Sequence, residues 1–237
     1  MDPLRRTAFL AGALYLATFA SSIPARFYFL DPVLSDPEYV LGSGGDTRVV
    51  AGGVLDMVNA LACIGSAVVL FTVVRRQNET LALGFVTSRV LEAAIISVGV
   101  VSLLAVVTLQ QGVTGTAGAE ETSLVTVGAS LVAVYGWTFL FGPNVMAAVN
   151  ALLLGSLLYR SRLVPRIIPL VGLIGAPLLV ASAAATLFGL KEQVSALSAI
   201  AALPIALWEF SLGVYLVVKG FKPSAITGGM VAEQVGS

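Results

Sequence analysis

Six apolar stretches take up most of this chain: 7–30, 49–74, 81–109, the longer 122–159, 167–188 and 194–218. A bilayer core needs roughly 20 apolar residues to be crossed by a helix, so each stretch is long enough. The expected fold class is all-α, a polytopic membrane helix bundle with six transmembrane helices. One integral membrane domain is expected over residues 1–222, followed by a disordered cytoplasmic tail over 223–237. Composition agrees, since 57% of the 237 residues are hydrophobic, 11% are charged, and mean hydropathy is +0.96. Soluble domains carry about 25% charged residues.

Two absences narrow the chemistry. Without histidine, a His-ligated haem, a His-bearing zinc site and a Ser–His or Cys–His pair are excluded. With Cys63 as the only cysteine, an intramolecular disulfide and a thiolate metal cage are excluded too. No cofactor is expected. The partners expected are the lipid bilayer, a small molecule, ion or lipid, and a homo-oligomer or membrane partner, but no nucleic acid.

The charges at the ends of the stretches orient the bundle. The region 122–159 is about twice as long as a bilayer is thick at 1.5 Å per residue, and Gly142-Pro143 interrupts it. Counted as one span, it places Arg5, Arg6, Arg75, Arg76, Arg160, Arg162, Arg166, Lys219 and Lys222 all on one side. Arg26, Arg48 and Lys191 are left for the other. By the positive-inside rule this predicts six spans in the plasma membrane with both termini cytoplasmic. The fourth span is then expected over 143–159, with 122–141 as a helix near the outer surface and Gly142-Pro143 as the joint, because proline suits a helix start. Tyr135 and Trp137 fit a headgroup-level position. The N-terminus resembles a signal peptide (Arg5, Arg6, then an apolar run), but apolar character continues to Leu30, so a retained first helix is expected.

Three local features complete the reading of the connections. Asp36-Pro37-Glu38 reads as the cap and first turn of a short helix, and Asp46 or Thr47 as the cap of the second span. The segment 110–119 reads as a mobile loop. Asn78-Glu79-Thr80 matches a glycosylation sequon that the topology places in the cytoplasm, where it is a chance match.

Four ionisable residues lie inside the spans: Asp56, Arg89, Glu92 and Glu209. A charge at such depth costs several kcal/mol, of order 3, unless it is paired or hydrated, so these side chains are expected to face the bundle interior. Span 2 also places Gly52, Asp56, Asn59, Cys63 and Ser66 at helical spacing, which forms one polar stripe. Arg89 and Glu92 are three apart and share a helix face. Counted from the span ends, Arg89, Glu209 and Asn150 share one depth, Glu92 lies a turn further out near Asn59 and Asn144, and Asp56 is outermost. Trp208 adjoins Glu209, and Pro204 frees backbone carbonyls one turn earlier. The candidate ligand- or ion-binding residues are thus Arg89, Glu92, Glu209, Asp56, Asn59, Asn144, Asn150 and Trp208; no catalytic or metal residue is assigned. One arginine against three carboxylates leaves an excess negative charge if all ionise, which calls for a proton, water or a cation.

The blocks LGSGGDTRVV, VVRRQNETLALGFVTSRVLEAAIISVGVVSLL, WTFLFGPNVMAAVNALLLGSLLYRSRLVPR and EQVSALSAIAALPIALWEFSLGVYLVVKGFKPSAI resemble the bacterial membrane proteins grouped as domain of unknown function 4386. That resemblance implies a multi-span membrane protein and brings no activity, ligand or catalytic residue. Asp46, Arg48, Arg89, Glu92, Trp137, Pro143, Asn144, Asn150 and Glu209 stand out within those blocks. Three functions stay open on the residues: a small-ligand or ion handler, including a proton-coupled transporter, an accessory subunit whose polar network fixes helix packing, and a membrane enzyme. The accessory reading uses small-residue faces such as Gly172 and Ala176 for lateral contacts. A water-accessible cavity reaching Arg89 would favour the first reading, and a dry, fully paired network the second.

Overall fold

A computed structural model describes residues 2–42, 46–112 and 119–224. The described residues form an all-α membrane bundle. Helix α1 (Pro3–Pro24) runs into a π-helical turn (Ala25–Phe29), followed by the short α2 (Asp31–Ser35) and a 3-10 turn (Tyr39–Leu41). Next come α3 (Asp46–Val74), α4 (Glu79–Gly112) and α5 (Ala119–Phe139), which continues through a second π-helical segment (Leu140–Met146) into α6 (Ala147–Ser161). Helices α7 (Ile167–Leu187) and α8 (Ala196–Val218) complete the chain. Six helical units are long and apolar enough to cross a membrane, with α5 and α6 together as one of them.

The packing order gives the bundle its use. α1 packs on α3, α3 on α4, α4 on α6, α6 on α7, α7 on α8, and α8 returns to α1. Six helices therefore close a ring. One end of that ring is filled by a large apolar cluster that includes Tyr15, Leu70, Phe85, Leu154, Leu212 and Leu216. A second cluster, including Leu30, Val40, Leu103, Val107 and Tyr135, joins α2 and the 3-10 turn to the far ends of α4 and α5.

The first and last spans are held together at the filled end. A Cβ on Gly12 would lie 2.6 Å from the Gly213 carbonyl oxygen, so only glycine lets α1 and α8 approach this closely. Nearby, Arg5 donates to the carbonyls of Leu216 (2.9 Å), Val217 (2.7 Å) and Val218 (3.1 Å). Those are acceptors that the end of a helix leaves without intrahelical donors.

Several local expectations need correction. Gly142-Pro143 does not start a helix, because Pro143 sits inside a continuous π-helical segment. Proline has no N–H for the carbonyl four residues earlier. Widening the turn moves the acceptor's donor one residue onward, and the side chain of Asn144 adds a bond to the Phe139 carbonyl (3.0 Å). Asp36 does not cap an α-helix; its carboxylate accepts from the Glu38 N–H (2.9 Å) and leads into the 3-10 turn. Gln110–Gly112 belong to α4 rather than to a loop, and Gln110 is buried, donating to the Tyr39 carbonyl (2.9 Å).

Asn78 has a local structural use, accepting from the Leu81 N–H (3.0 Å) at the start of α4. Helix α3 begins at Asp46, and the residues before it, like most of the 110–119 segment and of the tail, lie outside the described residues. Gly172 and Ala176 do not offer a lateral surface. Both are buried within the chain, and a Cβ on Gly172 would meet the Trp208 ring at 2.7 Å.

Candidate functional site

The ring encloses a half-open cavity of about 230 Å³ lined by residues of all six spans. That is many times the roughly 10–15 Å³ needed by one water. α1 contributes Thr18 and Ser22, and its π turn contributes Arg26; α3 contributes Asp56, Asn59 and Cys63. From α4 come Arg89 and Glu92, from α5 Tyr135 and Thr138, from the second π segment Asn144, and from α8 Glu209. Both π turns border the cavity.

Arg89 is the hub of its deep end and is only 2% exposed. One terminal nitrogen, Nη1, donates to Glu92 Oε2 (3.0 Å) and faces Cys63 Sγ at 3.4 Å. The other, Nη2, donates to Glu209 Oε1 at 2.5 Å, from α4 across to α8. The guanidinium also lies over the rings of Tyr15 (5.1 Å) and Phe85 (5.9 Å), where a desolvated cation gains from the π face. Glu92 Oε2 accepts a second bond from Asn150 Nδ2 (2.7 Å).

The network is incomplete. Arg89 Nε, Asn150 Oδ1 and Ser88 Oγ are buried with no hydrogen-bond partner among the described residues. Such groups are rare in native interiors and point to water or a bound molecule.

Asp56 occupies the other end. Its Oδ2 accepts from the Tyr135 hydroxyl (3.1 Å). Asn59, one helical turn deeper, is 7% exposed and accepts from the thiol of Cys63, at 3.9 Å from its Oδ1. Among the described residues no group of three His, Cys, Asp or Glu residues converges closely enough to hold a metal ion.

Of the eight candidate residues, Arg89, Glu92, Glu209, Asp56, Asn59 and Asn144 line this cavity, and Asn150 stands behind Glu92 without lining it. Trp208 does not reach the cavity. It packs into the apolar cluster over Gly172, because α8 turns its Glu209 face inward and its Trp208 face toward α7. Tyr135, expected at headgroup level, is buried and bonded to Asp56, whereas Trp137 is exposed.

Three lining or adjoining residues are not among those eight: Tyr15, Arg26 and Tyr135. A signal for two of them existed in the polar spacing Tyr15, Thr18, Ser22 and Arg26, which runs along one face of α1 into its π turn.

Fold and cavity together define a polytopic α-helical membrane protein with an ionisable interior. The family model for the domain of unknown function DUF4386 matches residues 10–220, and the chain belongs to that family. No curated protein and no solved structure matches it.

Proposed function

We propose that this protein handles a small ligand or ion, taken up into the ring's cavity from the outer side of a bacterial plasma membrane, with both termini in the cytoplasm. One observation carries the reading: the cavity reaches Arg89 and exposes three carboxylates to a space several waters wide. A bundle that used these groups only for packing would bring them together and exclude water, since unpaired buried charge is costly. Here Glu92 and Glu209 each engage Arg89 through one oxygen only, and Asp56 engages Tyr135 through one. Among the described residues no hydrogen bond occupies the remaining oxygens, which leaves them for a cation, a protonated amine or a proton. Proton-coupled transport follows naturally, because a carboxylate released by a departing cation takes up a proton in its place.

The accessory-subunit reading keeps one observation in its favour: Arg89 is held by two carboxylates and two aromatic rings at once. The two readings differ in hydration. Asn59→Cys in a Cys63→Ser background is expected to react with a membrane-impermeant thiol reagent added outside intact cells. Failure to react from either side, in protein that remains folded and monodisperse, would mean a dry interior and overturn the ligand-handling reading.

A further inference from the structure

A second cavity, of about 180 Å³, adjoins the first and shares Arg26, Phe27, Phe139, Asn144 and Ala202 with it. Its charge is of the opposite kind. The ionisable residues that line it are Arg26 and Lys191, set among the hydroxyls of Ser182, Thr186, Ser195 and Ser198. Neither cation forms an ion pair among the described residues. Arg26 lies over the Phe139 ring at 5.4 Å, and Lys191 donates to Ser198. In the first cavity the balance is reversed, with Asp56, Glu92 and Glu209 against Arg89 and the shared Arg26.

The deeper part also holds Asn59, more than nine-tenths buried, whose Oδ1 meets the Cys63 thiol at 3.9 Å. An anion-attracting chamber thus opens into a cation-attracting one, with Arg26 at the junction.

We infer that the two chambers form one binding site for a zwitterion, with its ammonium group among Asp56, Glu92 and Glu209 and its phosphate on Arg26 and Lys191. This inference rests on the ligand-handling reading above. Arginine and lysine suit a phosphate, arginine through its forked donors and lysine as a point charge. Thr186 and Ser198 donate to the carbonyls of Ser182 and Glu192, which leaves the hydroxyls of Ser182 and Ser195 as the further donors. Two sources offer this chemistry, a soluble phosphoamine and an aminophospholipid headgroup. The rim of the first cavity includes Ile23 and Phe27, which are 52% and 70% exposed, so acyl chains could remain in lipid while the headgroup enters.

Calorimetric titration of the full chain in detergent separates the possibilities, using phosphoethanolamine, dihexanoyl phosphatidylethanolamine, ethylammonium and methyl phosphate. Phosphoethanolamine or its lipid is expected to bind at least tenfold more tightly than either half-molecule. A tenfold preference for the lipid identifies the headgroup source, and equal affinity the soluble one. Arg26→Gln with Lys191→Gln is expected to lower zwitterion affinity to that of ethylammonium, while Asp56→Asn lowers it from the other end.

Equal binding of phosphoethanolamine and ethylammonium, unaffected by the double substitution, would overturn the inference and leave a cation site intact. Heat from none of the four probes would also overturn it. Reagent access at position 59 then decides separately whether the hydrated-cavity reading survives.

Discussion

The side-chain amide of Asn144 donates to the carbonyl of Phe139, the acceptor that an α-helical turn would have assigned to the missing N–H of Pro143. Two neighbouring residues thus cause and repair one backbone defect. Asn144→Ala is expected to cost about 0.5–1.5 kcal/mol, the net value of one such bond. In a Pro143→Ala background the N–H returns and the same substitution should cost little. A double-mutant cycle by chemical unfolding in detergent measures the difference, and additive effects would refute this account.

Arg89 bridges α4 to α8 through Glu209 and is paired within α4 through Glu92. Arg89→Ala strands both carboxylates and is expected to destabilise by about 3–5 kcal/mol. Adding Glu209→Ala should recover part of that loss. Arg89→Lys should recover little, because one ammonium cannot reproduce the fork that serves two acceptors. Thermal unfolding of the four proteins ranks them.

Gly12 and Gly213 face each other, yet their substitutions should differ. A methyl on Gly12 meets a backbone oxygen at 2.6 Å, which has no room to move, whereas one on Gly213 first meets the flexible tip of Leu16 at 3.1 Å. Gly12→Ala is expected to cost about 1–3 kcal/mol through overpacking. Gly213→Ala should stay within about 1 kcal/mol, helped by alanine's helix propensity. Unfolding midpoints of the two single variants test the order.

Orientation is testable with single cysteines in a Cys63→Ser background. Glu38→Cys, on the connection from α1 to α3, should react with an impermeant reagent outside intact cells. Gln77→Cys, between α3 and α4, should react only after permeabilisation. The reverse pattern would invert the topology.

The spans were legible because length and apolarity alone decide them. So was the inward set Asp56, Asn59, Arg89, Glu92 and Glu209, since charge in lipid leaves few other places to go. Trp208 and Tyr135 were misplaced for a geometrical reason. Aromatic residues suit headgroups, cavities and cores alike, and only the rotation of the helix separates these. The second π segment, which follows Tyr135, offsets the faces of α5 and α6 from each other. One extra residue per turn shifts everything beyond it by about 100° relative to an unbroken helix.

The two bonds of Arg89 also differ in when they become available during synthesis. Glu209 follows Arg89 by 120 positions, which at about 5–20 residues per second means roughly 6–24 seconds of elongation. Glu92 follows by only three and enters the bilayer on the same helix. The local carboxylate therefore escorts the arginine as α4 is threaded into lipid, and the distant one arrives as the final latch. Until α8 emerges from the ribosome, the ring has no closing member and Glu92 is the only one of the two carboxylate partners in place to compensate that cation.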